Sequence, residues 1–252
     1  MLFPIRHLPA LLCLLLLSPA LAPGQPEHPI APQAIPLADW EKGAAPLPPF
    51  NERVLDIAGS YPIDGTHAYW WPRAGESAYD GCTTNVLLFG EPVMEGEPGG
   101  RTFCCGLTLE VFARAWTDAW APNPGASPLQ PKDWQRFQSL WFVPEINASG
   151  PSAALEEFGA GRTLAMAAAM PGDFVQIWRR PAEGKTHGSG HSVIFLGWVR
   201  NEDGDAIGLR YWSTQPGTEG IGQATEYFAP PSAHKGVAAE WTHWGRAEVP
   251  AG

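Results

Sequence analysis

The hydrophobic period of the sequence changes near Pro171, and this change limits the fold more than any other feature. Before it, the segment CCGLTLEVFARAWTDA (104–119) spaces its apolar residues along one face, as an amphipathic helix does. After it come runs of β-branched and aromatic residues separated by turn residues. Helices followed by a strand meander predict an α+β domain, with the 104–119 helix packed on an antiparallel sheet. The predicted strands cover 174–178, 192–198, 207–215 and a last one within 237–249.

Residues 1–22 have the composition of a secretory signal peptide. Arg6 precedes a leucine-rich run, and Ala20-Leu21-Ala22 supplies the small residues of a cleavage site. The apolar run is shorter than the roughly 20 residues that a spanning helix needs. We therefore expect an exported protein, periplasmic or secreted, without a membrane anchor. Cys13 leaves a lipoprotein as an alternative, which the bulky Leu12 before it disfavours.

Proline content separates a lead-in from the folded part of the chain. Residues 23–49 are rich in proline and predict an extended segment. The domain then covers 50–252, with Asn51 placed to cap a short helix over 52–59. Prolines also break the stretch 121–169, which we interpret as a helical insertion. Its predicted helices cover 133–140 and 151–158.

The charge balance bears on partners. The chain has 16 Lys and Arg against 26 Asp and Glu, a formal net charge of −10. Loss of Arg6 with the leader would make the charge more negative still. Nucleic acid is disfavoured as a partner, because phosphate binding depends on Lys and Arg clusters that this sequence lacks.

Three cysteines remain after removal of the leader, namely Cys82, Cys104 and Cys105. An odd number in an oxidising compartment leaves at least one free thiol. One arrangement joins Cys82 to a member of the 104/105 pair by a disulfide and leaves the other free for chemistry. The alternative is a set of small buried residues without a chemical role.

The position of Cys104 and Cys105 at a predicted helix start favours a reactive thiolate. The free N–H groups and the dipole of the first helical turn stabilise negative charge. Gly106 is expected to leave room for a substrate backbone, and the N–H of the cysteine could hold an oxyanion. Tyr69, in the upstream aromatic segment, is a candidate second oxyanion donor, and its alternative role is simple packing.

A base for this thiol is available at the mouth of the 192–198 strand. Both His187 and His191 lie there, and His191 is placed at the strand edge, whereas His187 falls in a glycine-rich turn. A polar side chain on the next strand would orient the imidazole. The available residues are Ser213, Thr214 and Gln215.

Three segments together resemble the NlpC/P60 cysteine peptidases, within the papain-like group that includes the CHAP amidases. FCCGL (103–107) is similar to the family's D-C-S-G-L at the start of its catalytic helix. PGDFV (171–175) is similar to P-G-D-L-V, and HSVIFLG (191–197) to H-V-G-I-Y-L-G. The segments occur in the family's order and together cover 17 of the 252 residues. Phe103 departs from the pattern, because the family has aspartate there.

The resemblance implies a site and a reaction. It places the nucleophile on Cys104, with Cys105 at the usual serine and therefore as the alternative nucleophile, and the base on His191. Gln215 becomes the third residue, with Ser213 second. The implied reaction is hydrolysis of a peptide or other amide, with a cell-wall (peptidoglycan) stem peptide as the expected substrate. Neither a cofactor nor a metal is required.

Three rival interpretations compete with this hydrolase. His187 and His191 with Cys104 and Cys105 offer four zinc ligands, although the glycines between the histidines disfavour the helix that such a spacing needs. The second rival is a non-catalytic module that binds cell-envelope polymers, and the third is an acyltransferase on the same scaffold. Twelve tryptophans could line a binding groove or fill the core.

Overall fold

The computed structural model of the chain describes residues 46–72, 79–143, 145, 147–181, 188–230 and 236–249. The predicted signal peptide and all but the last four residues of the predicted lead-in lie outside these ranges. Within them the chain forms α1 (Pro49–Gly59), α2 (Cys104–Trp120), α3 (Trp134–Trp141) and α4 (Pro151–Glu157). The strands are β1 (Val86–Leu88), β2 (Glu91–Met94), β3 (Gly161–Leu164), β4 (Phe174–Arg179), β5 (Ser189–Arg200), β6 (Ala206–Gln215), β7 (Gly220–Tyr227) and β8 (His243–Ala247).

Six of these strands form one antiparallel sheet in the order β3-β8-β4-β5-β6-β7. The protein is therefore an α+β protein, as its sequence predicts. Helix α2 and strands β4, β5 and β6 lie where the sequence places them. Strands β3 and β7 and the small β1–β2 hairpin were not predicted.

Both faces of the sheet are buried, which explains why its central strands lack a simple polar alternation. On one face lies α2, and a core of aromatic rings including Phe112, Phe174 and Trp212 fills the space between helix and sheet. A second apolar cluster, with Val175, Ile177 and Phe195 among its members, covers the opposite face. Alternate residues of β4 and β5 thus belong to different clusters. Among the described residues, no helix has the length and apolar character needed to cross a membrane.

The role expected for Asn51 is wrong. Helix α1 begins at Pro49, whose fixed φ suits the first helical turn, so Asn51 lies inside the helix rather than at its cap. Its buried amide instead donates to the carbonyl oxygen of Pro171 and to Asp173 Oδ1, both at 2.8 Å. Arg246 of β8 also donates to Asp173, from Nε at 2.8 Å and Nη2 at 2.7 Å. These contacts fasten α1 to the sheet, and we call Asn51, Asp173 and Arg246 the Asp173 clamp.

The stretch from 121 to 169 holds more than helices. Helices α3 and α4 are joined on their surface by Arg136, which donates from Nε to Glu157 Oε1 at 3.0 Å. The same stretch supplies β3, which pairs with β8 at the edge of the main sheet. Part of this stretch is therefore built into the sheet.

Candidate active site

Cys104 is the first residue of α2, as predicted, and the extended backbone of Phe103 precedes it. The Phe103 ring fixes this entry, because it is buried against Trp71 at 4.6 Å and Tyr79 at 5.3 Å between ring centroids. The phenylalanine that departs from the family pattern is thus a packing residue. The N–H groups of Cys104 and its neighbours belong to the first helical turn, which leaves them without partners inside the helix.

Gly106 does not leave room for a substrate. A Cβ at this position would lie 2.0 Å from the carbonyl oxygen of Asp80 and 2.6 Å from the backbone of Gly81. The space beside the helix start is therefore occupied by the chain itself. Gly106 serves close packing of the 80–81 backbone against α2, and the expectation from sequence is wrong.

The surroundings of Cys104 favour its thiolate. The Cys105 thiol donates a hydrogen bond to the Cys104 sulfur, and this contact is the largest cause that lowers the pKa of Cys104 well below its ordinary range. The charge and hydrogen bond of His191 and the backbone N–H of Ser192 lower the pKa further. Together they outweigh burial, which acts in the opposite direction. Cys104 as a residue is half-buried, whereas Cys82 and Cys105 are buried.

The pKa values of the other two cysteines, Cys82 and Cys105, are shifted in the opposite direction. Burial and the hydrogen bond given to Cys104 raise the pKa of Cys105 well above its ordinary range. Burial, helped by the charge of Glu110, also raises the pKa of Cys82. All three cysteines are free thiols, so the disulfide considered for Cys82 does not form. The site therefore favours ionisation of Cys104 over that of Cys105.

His191 reaches Cys104 from the sheet. It lies in β5 opposite Ile177, while its neighbour Ser192 points to α2, where its Oγ is 2.8 Å from Thr108 Oγ1. Side chains alternate along a strand, so the His191 side chain leaves β5 on the face opposite to α2. The Cys104 sulfur accepts the Ser192 N–H, and a strand N–H lies in the plane of the sheet. The sulfur is therefore level with the sheet, where the imidazole can meet it.

The end of the sheet is open at this point. Pairing between β5 and β6 begins at Ile194 and Trp212, so His191 lies beyond the last residue of β5 that pairs with β6. The helix start enters here, and the Thr102 hydroxyl donates to Thr214 Oγ1 on β6 at 2.9 Å. The gap between two strands thus brings helix and histidine together. The other histidine considered, His187, lies outside the described residues.

The two residues expected to orient the imidazole, Gln215 and Ser213, make their side-chain hydrogen bonds to other groups. The side-chain amide of Gln215 bonds to the Tyr211 hydroxyl at 2.9 Å, and Ser213 Oγ donates to the Ser192 carbonyl oxygen at 2.8 Å. His191 itself is 7 % exposed, and its Nε2 is buried without a hydrogen-bond partner. Thr214, also available from sequence, bonds to Thr102.

Tyr69 lies near the two thiols. Its segment runs beside residue 102, since the Trp70 N–H donates to the Thr102 carbonyl at 2.8 Å and the Thr102 N–H to that of Ala68 at 2.9 Å. Burial first, and then electrostatic interaction with the neighbouring Cys104 and Cys105 side chains, raise the pKa of Tyr69. Its hydroxyl therefore keeps its proton and can donate a hydrogen bond.

A polar cluster next to His191 was missed from sequence. It consists of Arg179, Tyr211 and Glu226, on β4, β6 and β7, and we call it the Glu226 cluster. Arg179 Nε donates to Glu226 Oε2 at 2.8 Å, a second bond joins Arg179 Nη2 to Oε1, and the Tyr211 hydroxyl donates to Oε1 at 2.6 Å. The period of two in β6 could have placed Tyr211 on the face of Gln215.

Two further findings concern cofactors and relatives. Among the described residues, no group of three or more His, Cys, Asp or Glu side chains is arranged to hold a metal ion. Comparisons of the chain with protein-family models, with curated proteins and with solved structures give no match. The NlpC/P60 resemblance rests on the three segments of sequence and stays a prediction.

Proposed function

We propose that this protein is an exported thiol hydrolase of the papain-like NlpC/P60 kind, which cleaves an amide bond with Cys104 and His191. The observation that carries the proposal is the pairing at the start of α2. There the Cys104 thiolate is favoured by a thiol, an imidazole and a backbone N–H on three sides. A thiolate of depressed pKa in reach of a histidine is the arrangement that nucleophilic cysteines use.

The mechanism follows from these positions. The Cys104 sulfur attacks the carbonyl carbon of the amide, and the carbonyl oxygen takes up the negative charge. The Cys104 N–H and the Tyr69 hydroxyl can donate to this oxyanion. His191 gives its proton to the leaving amine, which departs and leaves a thioester on Cys104. His191 then takes a proton from water, which attacks the thioester and frees the sulfur.

The scaffold proposal has its own support. The three similar segments lie on the elements that the resemblance requires: 103–107 enters α2, 171–175 enters β4, and 191–197 lies in β5. These strands are neighbours, and α2 packs on β5. A cell-wall stem peptide as substrate comes from the resemblance alone.

Hydrolysis tests the proposal. The purified protein is incubated with peptidoglycan fragments and with a set of short peptide amides, and new amino groups are identified by mass spectrometry. We expect the wild type to release them, and Cys104→Ala and His191→Ala to lose at least about 100-fold in rate, because nucleophile and base act as one unit. Cys82→Ala is the matched control and should keep the wild-type rate.

Two results would contradict the proposal. One is a Cys104→Ala variant that releases the same products at the wild-type rate. The other is a wild type that cleaves none of these amides although Cys104 remains a free thiol by intact mass. The second result would favour a module that binds cell-envelope polymers.

A further inference from the structure

The charged and titratable groups around His191 come from four elements. Cys104 of α2 bonds to His191, the Tyr211 ring of β6 packs against it, and Glu226 of β7 interacts with its charge. Behind these lie Cys105 of α2, which bonds to Cys104, and Arg179 of β4, which bonds to Glu226. His191 acts electrostatically on Glu226, and Cys104 acts on Arg179. The Glu226 carboxylate and the Arg179 guanidinium are therefore opposite charges within the site, and each stabilises the other against burial.

Glu226 is held as a carboxylate. Burial alone would raise the pKa of Glu226, but the hydrogen bonds and charge of Arg179 and the hydroxyl of Tyr211 bring it below its ordinary value. Its side chain is 21 % exposed, so water screens the charge only in part. A fixed, partly desolvated anion thus lies beside the histidine.

Tyr211 links Glu226 to His191, because it contacts both side chains. Its ring packs edge-on to the His191 imidazole, with centroids 5.6 Å apart and planes at 71°. Its single hydroxyl proton goes to Glu226, the charged acceptor at 2.6 Å. The contact with Gln215 at 2.9 Å must then use an amide N–H of Gln215 as donor, because the hydroxyl has no second proton. Gln215 is thereby held by Tyr211.

We propose that Glu226, clamped by Arg179 and Tyr211, is the counter-charge of the His191 imidazolium and a positioning residue for the Cys104–His191 pair. It acts on the imidazole in place of Gln215, which the resemblance implies as the third residue that orients the imidazole. The proposal rests on the proposed function for the role of His191. The coupling between Glu226 and His191 can nevertheless be measured without any substrate.

The sign of each variant follows from Coulomb's law. Glu226→Gln removes the anion and leaves the guanidinium, so His191 should give up its proton at a lower pH. Arg179→Met leaves the carboxylate unopposed and should move the titration to a higher pH. The double variant removes both charges, and since the charge of His191 acts more strongly on Glu226 than on Arg179, the midpoint should fall, but less than in Glu226→Gln.

The experiment is an NMR titration of the histidine ring signals, carried out in Cys104→Ala protein so that the thiolate plays no part. We expect the His191 midpoint in Glu226→Gln to fall by roughly one pH unit, as befits a nearby opposite charge. Glu248→Gln is the matched control, because it breaks the exposed Arg162–Glu248 pair at the far edge of the same sheet. It should leave the midpoint unchanged.

One outcome overturns the inference. If the His191 midpoint in folded Glu226→Gln equals that in Glu248→Gln, Glu226 is not its counter-charge. Should Glu226→Gln fail to fold because Arg179 is left unpaired, the double variant replaces it, and an unchanged midpoint there has the same meaning. Failure of the hydrolase proposal would appear elsewhere, in Cys104 and its substrates, and would leave this titration intact.

Discussion

Two arginine–carboxylate pairs lie at opposite ends of β4, and they differ in what surrounds them. At the start of the strand, Asp173 is fully buried, and its carboxylate accepts from Arg246, Asn51 and the Met170 N–H at 2.7–2.8 Å. At the far end, Glu226 and Arg179 are 21 % and 26 % exposed. Their network reaches, through Tyr211, a histidine whose Nε2 lacks a partner.

The difference separates a structural pair from a functional one. In the Asp173 clamp, the carboxylate is satisfied by protein groups on every side, so the pair can only hold elements together. The Glu226 cluster ends beside the His191 imidazole, a group that can gain or lose a proton. The electric field of the cluster can therefore act on the reaction that we propose for Cys104 and His191. In our proposal, similar side chains thus serve stability at one end of β4 and reactivity at the other.

The largest expected effect comes from breaking the Arg246–Asp173 pair of the Asp173 clamp. Arg246→Met leaves the Asp173 charge buried without its cation, and we expect the free energy of unfolding to fall by about 3–5 kcal/mol. Urea denaturation measures this change. The matched control is Arg162→Met, which removes an exposed pair and should cost at most about 1 kcal/mol. Equal losses in the two variants would mean that the clamp is no more than a surface contact.

Breaking the Arg179–Glu226 pair should lower the stability less than breaking the Asp173 clamp does, but it should change the reactivity of Cys104 more. For Glu226→Gln we expect a loss of about 1–2 kcal/mol, because the pair is partly screened by water. The pH profile of Cys104 alkylation should change in Glu226→Gln and stay as in the wild type in folded Arg246→Met. If Arg246→Met alters the profile as much, the distinction between the two pairs is lost.

The smallest expected effect concerns Cys105. Cys105→Ala removes the thiol that donates to Cys104, so the pKa of Cys104 should rise and its alkylation at mildly acidic pH should slow by up to about tenfold. Cys105→Ser keeps a donor and should react at close to the wild-type rate. Rates of adduct formation, followed by mass spectrometry, distinguish the two. Equal rates in both variants would show that Cys105 contributes packing alone.

Local patterns predicted what is local. The start of α2 at Cys104 and the strands β4, β5 and β6 follow from hydrophobic periods and turn residues within each segment. The predicted partners Cys104 and His191 meet where the start of α2 reaches β5. Strand β7 gave no signal, because glycines at 220 and 222 and polar residues dilute its pattern.

Contacts between distant segments could not be predicted. Asn51 has the residue type of a helix cap, yet its partners lie 120 residues away at Pro171 and Asp173. Gly106 is glycine because the 80–81 backbone crosses it, which no spacing reveals. The place of Gln215 on the strand that follows β5 predicts it as the third residue, but its side chain is bonded to Tyr211 on the same strand. The position of Glu226 beside Arg179 and Tyr211 depends on the register of β4, β6 and β7, which no single segment of sequence reveals.

The central claim is that Cys104 is an activated thiolate held by His191, and brief treatment with iodoacetamide near pH 6 tests it most directly. Peptide mapping of the wild type should show one adduct, at Cys104, with Cys82 and Cys105 unmodified because the pKa of each is raised. His191→Ala should slow that adduct by about tenfold or more. The account is contradicted if Cys104 reacts as slowly as Cys82, or if its rate is the same with and without His191.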